Sequence, residues 1–552
     1  MNVQPRIVAI LGAGLYLFAL LFRFIGIGWG LKNDLHDWSY HPDEPVILGF
    51  SQAIDPAHGK FTPGHYNYGT FYLTGLKITS DVVAAYTGGP DPKDASKNFD
   101  YYSRVTLAGR VVSAFAGAGT VLLVFLMLRR WTGLVGASFG ALLIAVAPGF
   151  VVHSRFQTVD VTATFFLAAG TYAALATLDT DAKRGLKMAA LSGLWFGLSA
   201  GTKYTGILGL VTLYVILFAA KRPAALKEAL IGTAAALLAF VISTPGVILD
   251  REAFMRDFVY EMAHTSQGHG AVFTNTANGF EYHLINLFIG VGPILTLVGI
   301  AGLIWAAWKR KPEALAIGAF FLLYYLLIGR AEVKFLRYTF PLLIGLAAGT
   351  AWAVHIAHER GGRWKALVGL AILGIGGIDS GGMISAARMT AWMASEDPRD
   401  SAARYLKKEP TQAVGFALDP WFWSVPLWPQ AGAPLSVPPE VRREERQASV
   451  PPVVLHEGPE GFFYFDKRLL TEDRPPRITM TSLEYFDFIR LKGYNGDDQV
   501  IRDQSKNATD FFAELDKDYV KDQSWGDDYF YVPVQDLMYI RPQVVVWKRK
   551  AP

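Results

Sequence analysis

The sequence predicts a polytopic α-helical membrane protein that ends in a small α/β or α+β domain. Of the 552 residues, 51% are hydrophobic and 18% are charged, whereas about a quarter of the residues in soluble domains are charged. Apolar runs near the length of a bilayer span fill residues 1–390, and residues 391–552 read as an ordinary soluble domain. We therefore expect a transmembrane domain over 1–390 and a soluble extracytoplasmic domain over 391–552.

Hydropathy predicts about eleven spanning helices, because each crossing needs roughly 20 mostly apolar residues. The expected spans are residues 7–28, 105–128, 134–152, 159–178, 186–200, 207–220, 226–249, 284–308, 314–328, 339–356 and 366–387. Basic clusters fall in alternate loops, at residues 129–130, 183–187, 221–227, 309–311 and 360–365. Because Lys and Arg accumulate in cytoplasmic loops, we expect a cytoplasmic N-terminus, an outer C-terminal domain and a multi-pass protein of the inner or plasma membrane.

Charge and missing motifs exclude several classes of protein. The net charge of +4 gives no case for nucleic-acid binding, and 0 cysteines exclude disulfides and thiolate metal sites. The sequence has no P-loop, no HExxH zinc motif and no convincing Gly-rich dinucleotide loop. It therefore requires no cofactor and predicts no metal site, although its outer carboxylates could bind a divalent cation.

The first outer loop, residues 29–104, places two adjacent carboxylates in the stretch "SYHPDEPVILGF". Asp43 and Glu44 lie between two prolines and follow His41. A solvated turn is the simplest explanation, because proline suits turns. Asp160 begins a later spanning helix, where it would also stabilise the helix dipole. Carboxylates at a membrane boundary are costly and tend to mark function, so all three acids are candidate catalytic residues.

Several cations also fall on the outer side, where the positive-inside rule disfavours them. They are Arg104, Lys203 in "AGTKYTG", and Lys334 and Arg337 in "EVKFLRYTFP". For any one of them, a long side chain that reaches the interface from a helix end is a sufficient explanation. Together they predict a pocket near the outer leaflet that binds an anionic head group or phosphate.

Aromatic and histidine residues share the same loops. Tyr66 and Tyr68 belong to "HYNYGTFYLTGL", which fits an interfacial aromatic belt or a helix lying on the membrane. His264 lies in the outer loop 250–283 with two other histidines whose spacing specifies no metal site. These three residues, together with His41 of the first outer loop, are candidate contacts to an acceptor or a sugar.

The C-terminal domain should begin with a capped helix. Asp397 is a plausible N-cap with Pro398 at the first helical position. Short strand-like runs follow, separated by Pro- and Gly-rich turns: "AVGFAL", "PVVLHE", "GFFYF" and "QVVVWKR".

The order of these motifs resembles the GT-C class of integral-membrane glycosyltransferases. It is most similar to family-39-type bacterial enzymes, which are related to protein O-mannosyltransferases and to the aminoarabinose transferases of lipid A. The matching stretches are "HPDE", "YNYGTFYL", "SRFQTVD", "GLSAGTKYTG", "EVKFLRYTFPLL" and "DPRDSAARYL". The resemblance covers the membrane part well and the tail loosely. One departure is "YNYG", where many relatives have a proline-containing stretch.

The resemblance implies transfer of a sugar from a polyprenyl-phosphate-linked donor to an extracytoplasmic acceptor, which could be a protein, a lipid or a glycan. The reaction usually inverts the anomeric centre. Asp43 would be the general base or would orient the acceptor, and Asp160 would match the second acidic site. Lys203, Lys334 and Arg337 would be candidates for binding the lipid phosphate. The choice of Asp43 over Glu44 rests on the family alone; Glu44 could support Asp43, hold a metal ion or face water.

Two other functions are consistent with a polytopic membrane protein. A lipid-linked oligosaccharide polymerase or ligase would use a similar donor, but it would depend on a large outer loop rich in arginine. A transporter or flippase would have paired repeats and ionisable residues at mid-membrane. Here the charged residues lie at the outer rim and no repeat is visible.

Overall fold

The structure, a computed structural model, describes residues 4–91, 93–269, 272–456, 465–526 and 535–551. Helices dominate the first part of the chain. They are α1 Pro5–Phe24, α2 Asp43–Gln52, α3 Thr70–Thr87, α4 Ala95–Val146, α5 Pro148–His153, α6 Val159–Ala176, α7 Ala182–Thr202, α8 Leu210–Ala219, α9 Ala225–Ser243, α10 Gly246–Leu249, α11 Arg251–Gln267, α12 Gly279–Gly290, α13 Pro293–Trp308, α14 Pro312–Gly329, α15 Leu343–Arg360, α16 Lys365–Gly376 and α17 Gly382–Ala394.

Several of these helices are long and apolar enough to cross a membrane. Within the described ranges there are six, or seven if α12 and α13, which meet at 115°, form one broken span. The helix α4 contains the predicted span 105–128 and most of 134–152, whose last residues lie in α5, and it bends at Gly133, whose φ is 67°. The predicted span 366–387 is divided between α16 and α17. The chain is thus a multi-pass membrane protein, and the count of about eleven spans stays a prediction.

Small residues allow the helices to approach each other closely. A Cβ added at Gly349 of α15 would lie 1.8 Å from the carbonyl oxygen of Gly299 in α13, and one at Gly193 of α7 would lie 1.9 Å from that of Gly232 in α9. Within a bilayer such contacts matter, because lipid tails give apolar helices no hydrophobic reason to associate and packing must supply the attraction.

The basic loops gather at one end of the helices. Arg130 pairs with Asp179 at 3.1 Å, and Arg222 donates to the Thr177 carbonyl. Lys311, in the loop between α13 and α14, lies over the ring of Trp352. Trp352 in turn stacks on Trp131, which follows the basic pair at residues 129–130. These contacts join the loops that the sequence assigned to the cytoplasmic side.

The C-terminal part contains a mixed sheet with helices around it. Its helices are α18 Pro398–Leu406, α19 Pro439–Gln447, α20 Ser482–Leu491, α21 Gln499–Asp518 and α22 Gln535–Met538. Its strands are β1 Val414–Phe416, β2 Val453–Val454, β3 Arg477–Thr481, β4 Tyr519–Trp525 and β5 Val544–Arg549, in the order β2-β1-β3-β5-β4. β1 runs parallel to β2 and β3, whereas β5 runs antiparallel to β3 and β4.

The sequence predicted the N-cap and three of the strands of this part, but it missed two strands. The N-cap is confirmed, because the Asp397 side chain accepts from the Arg399 N–H and Pro398 opens α18. Strands β1, β2 and β5 lie within predicted runs, while residues 461–464 of "GFFYF" lie outside the described residues. Strands β3 and β4 were not predicted, since β4 ("YVKDQSW") is too polar to show an apolar strand pattern.

The C-terminal part is joined to the first outer loop by polar contacts. The Trp29 indole donates to Asp397 at 3.2 Å. Asn33 donates to Asp400 at 2.8 Å, and the Tyr40 hydroxyl also donates to Asp400. The C-terminal part therefore covers the same end of the helices from which α2 emerges.

We expect Gly349→Ala to lower the thermal unfolding midpoint of the detergent-solubilised protein by several degrees, because the new methyl group would overlap the α13 backbone. Overpacking of this kind typically costs about 1–3 kcal/mol. Gly369→Ala is the matched control, since nothing lies within 4 Å of its added Cβ. Equal midpoints for the two variants would contradict the close α13–α15 contact.

Candidate active site

Arg337 lies at the centre of an acidic cluster. It belongs to a short 3₁₀ segment, Leu336–Leu342, that leads into α15. Its guanidinium nitrogens lie 3.3 Å from Asp43, 3.8 Å from Asp160 and 3.4 Å from Asp536. Its backbone N–H also donates to Asp536 at 3.0 Å. One nearly buried cation thus binds carboxylates from α2, α6 and the C-terminal part.

Lys203 provides the second cation of the cluster. It follows the last residue of α7, and its ammonium group lies 2.5 Å from Asp160. The same ammonium lies 4.1 Å from the centre of the Tyr338 ring, a favourable cation–π distance. Asp160 is only 6% exposed, so its charge is balanced by Lys203 and Arg337 rather than by water.

The adjacent acids Asp43 and Glu44 have different environments. Successive residues of a helix point about 100° apart, and here Glu44 points into the protein. Glu44 is fully buried and receives two bonds from Arg110, at 2.8 and 2.7 Å, and one from the Gln157 N–H at 2.8 Å. The Asp43 side chain is 33% exposed. Glu44 therefore holds α2 against α4, and Asp43 is left facing a cavity.

Burial and charge set the acidities of the outer carboxyls. Burial would raise the pKa of Asp43, but the nearby Arg337 guanidinium outweighs it and holds that pKa below its usual 3.8. For Asp536, burial outweighs Arg337 and raises the pKa to about 6. Asp43 is thus an ionised carboxylate at neutral pH, able to accept a hydrogen bond from a substrate.

Two cavities approach the cluster. The larger, of about 910 Å³, opens between α11 and the C-terminal part and is lined by Asp43, Arg337, Tyr260, Phe335, Trp421 and Tyr539. The other, of about 560 Å³, is an apolar groove lined by Lys203 and by Tyr68, Leu237, Phe240, Phe258, Leu327 and Tyr338. Between them a small void touches Asp160, Lys203 and Arg337. The charged cluster therefore lies between a cavity with both polar and apolar walls and an apolar groove.

The predicted acceptor contacts are distributed over several places. His41 is fully buried next to Asp43, whose N–H donates to it at 3.2 Å. Tyr66 is also buried, and its hydroxyl donates to Asp250 at 2.9 Å. His264 lines the larger cavity, where it bonds the ring of a neighbouring histidine. Tyr68, as noted, lines the apolar groove.

Two of the predicted phosphate ligands lie apart from the cluster. The Lys334 ammonium donates to the Ala277 carbonyl at 3.0 Å and pairs with Glu332 at 3.3 Å. Arg104 lies on an exposed face of α4. In the part of the chain that the structure describes, neither contacts Asp160, Lys203 or Arg337. The structure brings Lys203 and Arg337 together and leaves these two elsewhere.

Asp536 and Tyr539 are site residues that the sequence did not indicate. Both lie in "VPVQDLMYIRP", in or just after α22. This stretch has no recognisable motif, and its link to Arg337 spans about 200 residues. His153, whose ring lies 3.7 Å from Asp536, sits in "VVHSRFQTVD", so only its closeness to Asp160 in sequence could have suggested it.

No metal centre is apparent among the residues that the structure describes, because no three His, Asp or Glu side chains converge in a way that could hold an ion. Three carboxylates surround Arg337, and there the guanidinium occupies the centre. The binding of a divalent cation stays a prediction from the sequence.

Comparison with known proteins identifies the fold. Residues 103–248 match the model of the dolichyl-phosphate-mannose-protein mannosyltransferase family. The apo structure of the Archaeoglobus fulgidus oligosaccharyltransferase aligns over 96% of this chain and 76% of its own, with a TM-score of 0.51 and 13% identity. No curated protein sequence matches.

A bacterial structure is similar over nearly the whole chain. ArnT from Cupriavidus metallidurans in the apo state aligns over 97% of both chains, with a TM-score of 0.48 and 14% identity. The same protein bound to undecaprenyl phosphate aligns over 72% of this chain and 70% of its own, with a TM-score of 0.48 and 18% identity. The resemblance to GT-C-type membrane glycosyltransferases that the motifs predicted is confirmed.

We expect Glu44→Gln to destabilise the protein strongly, because it leaves the buried Arg110 guanidinium without its carboxylate. Breaking a buried ion pair from one side costs about 3–5 kcal/mol. Asp43→Asn should cost less, since the Arg337 guanidinium would keep two carboxylate partners, Asp160 and Asp536. Thermal unfolding in detergent, followed by tryptophan fluorescence, measures both; a more stable Glu44→Gln than Asp43→Asn would contradict the division of roles.

Proposed function

We propose that this chain resembles GT-C enzymes in activity as well as in fold, and that it transfers a sugar from a polyprenyl-phosphate-linked donor to an extracytoplasmic acceptor. The observation that carries the proposal is the charged cluster between the two cavities. Such a transfer needs an apolar site for the lipid, cations for its phosphate and a carboxylate that faces the acceptor. Here the 560 Å³ groove would take the lipid. Lys203 and Arg337 would bind its phosphate, and Asp43 would face the acceptor.

The apolar groove would hold the first isoprene units of the donor. Its walls carry leucine and phenylalanine side chains, and Lys203 also lines it. That ammonium has three N–H donors, and one of them points at Asp160. The others are available to a phosphate placed at the end of the groove, where charge-assisted hydrogen bonds are strong.

The chemistry follows from this placement. Asp43 accepts the proton of the acceptor's hydroxyl or amine as that group attacks the anomeric carbon of the sugar. The bond from the anomeric carbon to the phosphate oxygen breaks, and polyprenyl phosphate leaves with its electron pair. Lys203 and Arg337 stabilise the negative charge that develops there. Because the base and the leaving group lie on opposite sides of the cluster, the transfer inverts the anomeric centre. With two cations in place, the scheme does not call for a divalent ion.

Sidedness and domain organisation are part of the proposal. The basic loops meet at one end of the helices, and the cluster and the C-terminal sheet lie at the other. If the basic end is cytoplasmic, then the active site and residues 391–552 face outward, and residues 1–390 form the catalytic transmembrane domain. The acceptor would enter from the outer solution through the 910 Å³ cavity, and the donor from the lipid.

The comparisons favour sugar transfer over transport. The matching family model describes mannosyltransferases that use dolichyl phosphate mannose, and a structure of the Archaeoglobus enzyme contains a tethered acceptor peptide. A polymerase or ligase would use the same kind of donor, and it would differ in transferring a lipid-linked oligosaccharide rather than a single sugar.

We expect Asp43→Asn to reduce transfer by about 10²- to 10⁴-fold, the usual contribution of a positioned general base. The assay uses purified protein and radiolabelled undecaprenyl-phosphate mannose, with a Ser/Thr peptide, lipid A and octyl glucoside as probe acceptors. Asp81→Asn, an exposed acid of α3 that pairs with Lys77, is the matched control. Full transfer by Asp43→Asn would remove this carboxylate from the mechanism.

We expect Lys203→Gln to weaken the binding of undecaprenyl phosphate by roughly 10- to 100-fold, because one hydrogen bond to a charged group is worth about 1.5–3 kcal/mol. Binding to the lipid alone can be followed by quenching of tryptophan fluorescence. Arg104→Gln is the matched control and should bind like the wild type, since Arg104 lies on an exposed face of α4. Equal losses in both variants would contradict the assignment of the phosphate to the end of the groove.

A further inference from the structure

Tyr539 comes from the C-terminal part of the chain but lies at the wall of the cavity that Asp43 faces. It directly follows α22, which Asp536 attaches to Arg337 through a backbone and a side-chain contact. Its ring packs against Phe156 and Phe422, at centroid distances of 5.9 and 6.3 Å. These two ring contacts hold the tyrosine side chain in place.

The hydroxyl of Tyr539 is oriented by His41. The Nδ1 atom of His41 accepts from the Asp43 N–H at 3.2 Å, so it carries no proton. Complete burial lowers the pKa of His41 to about 4, which makes the ring neutral at pH 7. The one ring proton must then be on Nε2, which lies 3.3 Å from the Tyr539 oxygen. His41 thus donates to Tyr539, and the tyrosine oxygen is the acceptor.

Because the tyrosine oxygen accepts from His41, its own proton does not point at His41. A hydroxyl that accepts from His41 has its own O–H left to donate. Burial raises the pKa of Tyr539 well above its usual value, so the proton stays in place at neutral pH. Among the described residues the structure shows no second partner for this hydroxyl, and the residue borders the same cavity as Asp43 and Arg337.

We propose that Tyr539 is a substrate-binding residue of the active site, whose hydroxyl donates a hydrogen bond to an oxygen of the bound acceptor beside the group that Asp43 deprotonates. His41 is its positioning residue, because it fixes the direction of the hydroxyl without facing the cavity itself. This inference rests on the proposed function. It makes the C-terminal part a component of the acceptor site, and it gives His41 a role that its place next to Asp43 in the sequence does not reveal.

Steady-state kinetics with the full-length protein test this inference, with undecaprenyl-phosphate mannose as donor and a Ser/Thr peptide, lipid A and octyl glucoside as probe acceptors. Tyr539→Phe keeps the ring and removes the hydroxyl. We expect kcat/KM for the acceptor to fall roughly 3- to 10-fold, the equivalent of one neutral hydrogen bond, while undecaprenyl phosphate binds as tightly as in the wild type. Tyr405→Phe is the matched control, since it also removes a tyrosine hydrogen bond in the C-terminal part, to Asp522.

A double-mutant cycle separates positioning from simple stability. His41→Phe should reduce kcat/KM for the acceptor to a similar degree. The double variant with Tyr539→Phe should have a kcat/KM no lower than that of the less active single variant. Additive losses, or Tyr539→Phe kinetics equal to those of Tyr405→Phe, would overturn the inference. Failure of the proposed function is a separate result, because it would appear as a wild-type protein that neither binds undecaprenyl phosphate nor turns over the donor.

Discussion

A single guanidinium joins the parts of this protein that make up the candidate active site. Arg337 is nearly buried, and a charge in that position is tolerated only when it is paired and hydrogen-bonded. Its partners are Asp43 from the first outer loop, Asp160 from a spanning helix and Asp536 from the C-terminal part. The first outer loop and the C-terminal part also meet directly, through the Arg404–Asp34 ion pair at 2.8 Å. Arg337 adds the contact that brings Asp160, and with it Lys203, next to both of them.

Environment rather than residue type decides what each carboxylate does. Glu44 is saturated by Arg110, the Gln157 backbone and a serine hydroxyl, so it is a structural anchor. Its neighbour Asp43 keeps a partly exposed carboxylate whose pKa Arg337 lowers. Asp536 lies on the same guanidinium, but burial raises its pKa to about 6. Acids that look alike in the sequence thus have different partners: Glu44 anchors α2, Asp536 attaches the C-terminal part to Arg337, and Asp43 faces the cavity.

The sequence predicted a multi-pass helical protein and the resemblance to GT-C-type enzymes, but it did not predict which side chains meet around the helices. The rule that selected Lys203 and Arg337, a cation on the disfavoured side, also selected Lys334 and Arg104. That rule reports depth in the membrane, but the angle around a helix and the fold of a loop decide which cations meet. Asp536 and Tyr539 could not be found at all, because their roles depend on contacts with residues about 200 and 500 positions away. The sequence could not distinguish Glu44 from Asp43, because only the orientation of α2 shows which of the two points into the protein and which faces the cavity.

The central claim is that the lipid phosphate of the donor binds at Lys203, between the apolar groove and the cavity that Asp43 faces. Electron cryo-microscopy of the full-length protein in nanodiscs that contain undecaprenyl phosphate tests it directly. The account predicts phosphate density within hydrogen-bonding distance of the Lys203 ammonium, on the side of Arg337 opposite Asp43. It also predicts density for the lipid tail along Leu237, Phe240 and Phe258. Phosphate density at Lys334 or Arg104, or at any place remote from Asp43, would contradict it.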